Sequence, residues 1–238
     1  MVTDRYRDGV EAEGLIAHDV LAVVLRMAPS SPEVLLWQRA REPHTGRWAL
    51  PGGRLGATED VEASVRRHLA EKVDLGEVAH VEQLSVFSDP HRGPAPRRVA
   101  TAFLGLVPSD ADPAVPDDTA WHRVDALPET AFDHGEITRA GLERLRAKLS
   151  YTNIGFALAP EVFSISELRG LYAAALGHRV SATNLQRVLT RRGVLVPTGS
   201  TAAPGPSGGR PAALFRFSER HLRVTDPFAT LRPPERDC

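Results

Sequence analysis

The sequence predicts an α/β fold with a mixed sheet, followed by a smaller helical unit that ends in a β-hairpin. Three observations predict it. Residues 20–25 (VLAVVL) form a continuous β-branched and aliphatic run, the pattern of a buried strand. A Gly-rich turn, Pro51-Gly52-Gly53, leads into a helical pattern, so strand, turn and helix alternate. From residue 136 onward three helical patterns follow one another and give way to two short strands.

In order along the chain, residues 1–17 read as a loosely attached tail. The strand at 20–25 pairs with 34–39 across the turn residues Pro29, Ser30, Ser31 and Pro32, which predicts a hairpin. Residues 42–46 form a loop, and Trp48 to Leu50 lead into the Gly-rich turn. The helix expected at 58–73 has Thr58 as N-cap and Glu59, Asp60 and Glu62 in its first turn, where the helix dipole favours acids. Val61, Val65 and Leu69 give it one apolar stripe. Strands are expected at 78–87 and 99–107, joined by an Arg- and Pro-rich loop at 89–98, and a short strand at 121–124.

In the second unit, residues 137–149 are helical in pattern, with Leu142, Leu145 and Leu149 on one stripe. Asp133 reads as the cap of that helix, and with His134 and Glu136 it forms a polar cluster at the junction of the two units. Ser164 or Ser166 caps the next helix, which Gly177 ends; residues 181–192 form another, ended by Gly193. Strands follow at 194–196 and 213–217, around the Gly-, Pro- and Ser-rich loop PTGSTAAPGPSGGRP. Three helices and a hairpin with a long tip outline a winged helix-turn-helix. The expected divisions are a tail at 1–17, an α/β domain at 18–135, a winged helix-turn-helix at 136–220 and a C-terminal tail at 221–238.

Charge supports the same division. Residues 164–217 carry seven Arg against one acid, Glu167, a local charge of +6. Residues 218–238 balance, so with a total of −1 the first 163 residues hold −7. An acidic body with a basic module suggests a polyanionic partner. On the helix at 181–192, Leu185, Val188 and Leu189 form the apolar face, and Asn184, Arg187 and Arg191 recur at three and four on the polar one. Asn pairs with adenine and Arg with guanine in the major groove, so this helix is the expected reader, together with Thr183. Arg192, Thr198 and Arg210 are the expected phosphate or minor-groove contacts. The single cysteine, Cys238, excludes a disulfide framework and fits a reducing cytoplasm. No apolar run is long enough for a membrane span, and the first residues lack the apolar core of a signal peptide.

Residues 51–75 carry the chemical signal. Gly53, Glu59 and Arg67 stand at the spacings Gly, five residues, Glu, seven residues, Arg, and Leu69, Glu71 and Leu75 continue the pattern. This resembles a Nudix box, in which Arg is followed by Glu-apolar-x-Glu-Glu-x-Gly-apolar. Here His68 stands at the first Glu, Lys72 at the last of the Glu pair and Asp74 at the Gly. Clustered carboxylates hold Mg²⁺ in such a box, and Glu71 alone keeps one of the three main ligand positions. Glu59, Glu71 and Asp74 leave room for one weakly held cation, but none is required. Arg67 is expected to pair with Glu59 or Glu71 and to brace the loop.

The order of further motifs is specific: WALPGG at 48–53, FSDPHRGPAPRRVATAFLGLV at 87–107, AFDHGEI at 131–137, FSISELRGLYAAALG at 163–177, SATNLQRVLTRRGVLVPTG at 181–199 and GRPAALFRF at 209–217. Together they resemble the Nudix-related transcriptional regulators of the NrtR family, over about residues 19–217. The resemblance implies a Nudix-like α/β/α sandwich with a C-terminal winged helix. It also implies repression of NAD-metabolism genes, a homodimer on palindromic double-stranded operators, and ADP-ribose or a related nucleotide sugar as effector. Many members have a degenerate box and do not hydrolyse the ligand. The expected ligand residues are Arg39, Arg47, Gly52, Gly53, Arg54, Glu71, Lys72 and His134, with Lys72 supplying charge that a metal would otherwise bring. The rival readings are an ADP-ribose pyrophosphatase with an appended nucleic-acid-binding domain, and an interaction module whose basic part takes RNA or an acidic protein.

Overall fold

The computed structural model describes residues 16–72, 78–94, 96–202 and 211–226. The first domain contains β1 (Ala17–Met27), β2 (Pro32–Gln38), β3 (Trp48–Ala49), β4 (Gly52–Arg54), α1 (Val61–Lys72), β5 (His80–Phe87), β6 (Arg98–Leu106) and β7 (Thr119–Arg123). One sheet runs β3-β2-β1-β6-β5, with β4 also on β1 and β7 also on β2. β1 and β6 are parallel, from Ala17↔Arg98 to Leu25↔Leu106, and the other pairs are antiparallel.

β1 explains why its sequence does not alternate. Its even residues Val20, Ala22 and Val24 pack with Val65 and Leu69 of α1. Its odd residues Leu21, Val23 and Leu25 belong to a second, larger core that includes Ile137, Leu142 and Leu145. Successive side chains on a strand point to opposite faces, so a strand covered on both sides must be apolar throughout. The result is the expected α/β/α sandwich.

The cap of α1 differs from expectation. The helix begins at Val61, and the Asp60 carboxylate, not Thr58, accepts the Ala63 N–H at 2.8 Å. Asp is the stronger capping residue of the two.

α2 (His134–Tyr151) is the second covering helix. It lies close on the sheet: a Cβ at Gly141 would meet Val23 Cγ1 at 2.7 Å. Arg144 donates to the Leu84 carbonyl at 2.8 Å, and Lys148 Nζ lies 2.7 Å from Glu82 of β5. The same helix holds the winged unit. Arg146 Nε donates to the Ala175 carbonyl at 2.9 Å, and Leu145 and Leu149 share a core with Phe163 and Leu168. Asp133 occupies the N-cap position of α2 but its side chain makes no capping hydrogen bond; Arg92 engages its carboxylate instead. The expected division at 135/136 therefore falls at the start of a helix that serves both units.

Beyond α2 come β8 (Phe163–Ser164), α3 (Ile165–Leu176), α4 (Ala182–Arg191), β9 (Leu195–Thr201) and β10 (Ala213–Phe217). Ser164 caps α3 in a capping box with Glu167, and Gly177, at φ 74°, ends it. Ser181 caps α4 by accepting the Asn184 N–H. The sheet order is β8-β10-β9, the wing of a winged helix. The expected C-terminal tail is bound at its start. Asn153 holds the backbone of His221 and Arg223, Thr225 N–H donates to the Tyr151 carbonyl, and Arg192 pairs with Asp226. No described helix is long and apolar enough to cross a membrane.

Candidate effector pocket and nucleic-acid interface

A cavity of about 540 Å³ opens where β1, β2, β4 and the start of α2 converge. Of the residues expected to bind ligand, Arg39, Gly52, Gly53, Arg54 and His134 line it. Gly52 is required by backbone geometry: at φ 152°, a Cβ there would stand 2.2 Å from the Val20 carbonyl oxygen. Arg39 is fixed by donating from Nε to the Pro43 carbonyl at 2.9 Å, and its guanidinium lies over Phe132 at 5.0 Å. Burial and the charge of Arg98 lower its pKa, against Asp19 and Glu42, which raise it. Arg54 is exposed.

Two expected residues stand elsewhere. Arg47 does not line the cavity; it pairs with Glu129 at 2.7 Å. Glu71 is exposed and pairs with Arg67 at 3.1 Å. The Lys72 side chain lies outside the described residues.

The cavity also contains Asp19, Arg92 and Arg98, which periodicity did not single out. They come from β1 and from the loop and strand around 92–98. Arg98 Nη1 donates to both Asp19 oxygens at 3.0 and 2.8 Å. Arg92 takes Asp133 in a bidentate pair at 2.9 and 2.8 Å. The lining contains five arginines, Arg39, Arg41, Arg54, Arg92 and Arg98, against two carboxylates, Asp19 and Glu42. The Arg98 Nε is buried and has no hydrogen-bond partner among the described residues.

His134 sits at the cavity with its Nδ1 accepting the Leu50 N–H at 2.9 Å. That bond puts the ring proton on Nε2. Burial, then the charges of Arg92, Arg39 and His44, push its pKa down to about 3, so the ring is neutral at physiological pH.

The altered box lies beside the cavity. Arg67 bridges Glu59 and Glu71, and Glu59 also accepts the Gly56 N–H at 2.7 Å. The Arg67 hydrogen bonds and that amide hold the Glu59 carboxyl down to about 2. Arg67 therefore braces the loop as expected. The His68 ring is buried against β4, with Nε2 3.0 Å from the Arg54 carbonyl, and a Cβ at Gly53 would lie 2.6 Å from its Cε1. A Mg²⁺ site needs several free oxygen ligands. Here the two described box carboxylates are paired to arginine and an imidazole fills the space beside Gly53, so these residues do not fit the ion.

A larger groove of about 1190 Å³ lies between α2, α3 and the β1–β2 turn. It contains none of the expected ligand residues, and the smaller cavity is the better candidate because the box and the arginine cluster meet there.

On the winged unit, Thr183, Asn184, Arg187 and Arg191 are all exposed on α4, while Leu185 and Leu189 are buried. Arg187 Nη2 donates to Asn184 Oδ1 at 2.8 Å, which aligns the two side chains on one face. Two of the other expected contacts also make bonds within the protein. Arg192 donates to the Ser150 carbonyl and to Asp226, both at 2.8 Å, and ties α4 to α2 and the chain's end. Thr198 Oγ1 donates to the Leu214 carbonyl at 3.0 Å and braces the wing. Arg210 lies outside the described residues.

The comparisons agree with this two-part anatomy. Residues 17–141 match the NUDIX domain model and residues 155–217 the NrtR DNA-binding winged helix domain. The ADPR responsive transcriptional repressor NtrR of Acinetobacter baylyi is 29% identical over 193 residues, 78% of this chain and 76% of that protein. An ADP-ribose pyrophosphatase of Methanocaldococcus jannaschii is 32% identical over 110 residues, 45% of this chain and 64% of that protein. NrtR of Shewanella oneidensis superposes with TM-score 0.74 at 28% identity, covering 84% of this chain and 94% of that one. Its complex with a 27mer DNA gives 0.71, at 28% identity and 84% and 93% coverage. Its NUDIX domain with ADP ribose gives 0.51, at 28% identity and 58% and 94% coverage. This chain belongs to the NrtR family, a Nudix domain joined to an NrtR-type winged-helix DNA-binding domain.

Proposed function

We propose that the protein is a cytoplasmic, ADP-ribose-responsive transcriptional repressor of NAD-metabolism genes that binds its effector without hydrolysing it. The observation that carries this is one helix joining two sites. His134, the first residue of α2, lines the arginine-rich cavity, and the last turns of α2 support the unit that presents Asn184, Arg187 and Arg191. The likeness to the A. baylyi repressor and to S. oneidensis NrtR with DNA and with ADP ribose supports the two ligands.

As a homodimer the protein would set two α4 helices in successive major grooves of a palindromic operator, about one helical turn or ~34 Å apart. An effector alters that spacing only through a difference in its affinity for the two arrangements. Loss of hydrolysis follows from the box, where His68 replaces a carboxylate and Arg67 occupies Glu59 and Glu71. The test is binding to the protein's own upstream region at several salt concentrations, with and without ADP-ribose. A preference over scrambled DNA that ADP-ribose changes is expected. No preference, together with AMP release in Mg²⁺ or Mn²⁺, refutes the proposal in favour of the hydrolase.

A further inference from the structure

We propose that the cavity takes the diphosphate of its effector without a divalent cation, gripping it with Arg39, Arg54 and Arg98 and with the Nε2–H of His134. The proposal rests on the effector reading above and adds the chemistry of recognition.

Two features of the pocket carry the proposal. Where a Nudix hydrolase concentrates carboxylates around a metal, this chain has spent them. One guanidinium, that of Arg67, spans Glu59 and Glu71, and Glu59 is further held by the Gly56 amide. The His68 ring is wedged between α1 and β4, bonded to the Arg54 carbonyl and packed on Gly53. Among the described residues no three His, Cys, Asp or Glu side chains are grouped to hold a metal ion.

The other feature is a supply of fixed donors. A diphosphate presents oxygens that guanidinium groups bind in charge-assisted hydrogen bonds. Arg92 is committed to Asp133 and braces the floor. Arg98 is held by Asp19 through Nη1 only, and its Nε is an orphaned buried donor. Arg39 is pre-set by the Pro43 carbonyl and by Phe132. Arg54 follows the two glycines of β4, and all three line the cavity. His134 is locked by Leu50 with its proton on Nε2, and the residue lines the cavity. Such a set replaces the metal's charge without offering a means to activate water.

The test is calorimetric titration of the full chain with ADP-ribose in EDTA and in Mg²⁺, with inorganic diphosphate as a second probe and Mn²⁺ alone followed by EPR. Dissociation constants within about threefold between the two buffers are expected, with no saturable Mn²⁺ site. Arg54→Ala changes an exposed side chain and spares the fold; it should weaken binding in EDTA about tenfold or more, as loss of a hydrogen bond to a charged group does. Affinity tenfold higher in Mg²⁺, one saturable Mn²⁺ per chain, or unchanged binding in both Arg54→Ala and Arg39→Ala would overturn the proposal. Failure of ADP-ribose with retention of diphosphate in EDTA would refute the effector reading and leave metal-free recognition standing.

Discussion

Arg92 and Asp133 make the sharpest test of how the pocket is built. The Arg92 side chain is 4% exposed and that of Asp133 17%, and two parallel hydrogen bonds of 2.9 and 2.8 Å join them. The pair pins the 89–98 segment to the first residue before α2. Exposed ion pairs contribute ~0–1 kcal/mol, whereas breaking a buried one costs ~3–5 kcal/mol because the remaining charge is stranded. Residual access at Asp133 places Arg92→Leu near the low end, about 3 kcal/mol. For a chain of this size that corresponds to a fall in melting temperature of roughly 6–12 °C. Asp19, 4.0 Å from Arg92 Nη1, loses a second neighbour in the same variant. The assay is urea unfolding of Arg92→Leu, Asp133→Asn and the double variant. A coupling energy of about 2–3 kcal/mol is expected for a bidentate buried pair. A coupling below about 0.5 kcal/mol, the value of a surface pair, would refute the reasoning.

Three further outcomes are expected. The folded His134 ring stays unprotonated down to about pH 3, while the unfolded ring takes its proton near 6.5, so stability is full above 6.5 and falls as pH drops toward 3. Between pH 7 and pH 5 the loss from this group is about 2 kcal/mol, and His134→Asn should remove it; an unchanged pH slope in that variant would contradict the assignment. Gly52→Ala forces a Cβ to within 2.2 Å of the Val20 carbonyl oxygen and 2.9 Å of Leu21 Cα, both backbone atoms of the central strand. A cost on the order of 4 kcal/mol should appear in chemical melts, and a variant as stable as the parent would mean that β4 need not hug β1. Arg187→Ala should reduce preference for the operator by about 1–3 kcal/mol while binding to random duplex changes little; uniform weakening would place the reading residue elsewhere.

The parts of this molecule that sequence made legible are those governed by short-range rules. The buried run of β1, the Ser164 cap with Glu167, the Gly177 stop and the polar face of α4 all follow from spacing within a few residues. The parts that escaped depend on partners far along the chain. Arg92 and Arg98 read as members of an Arg- and Pro-rich loop, and only the fold brings them to Asp133 and Asp19, 41 and 79 positions away. Arg47 and Arg192 read as phosphate partners because Glu129 and Asp226, with which they pair, also lie far along the chain. Asp133 looked like a cap for the same reason: its own helix offers amides, but Arg92 offers a charge.

The double duty of α2 has a consequence for the protein's history and handling. A linker normally lets two domains melt, be cut apart or be exchanged separately. Here the last helix of one domain is the support of the other, with Lys148 gripping β5 and Arg146 gripping α3 along a single 18-residue element. Calorimetry should show one endotherm rather than two, and limited proteolysis should release no stable winged fragment. A chimera that grafts this reading head onto another sensor must carry α2 with it, and with α2 comes His134, a residue of the pocket floor.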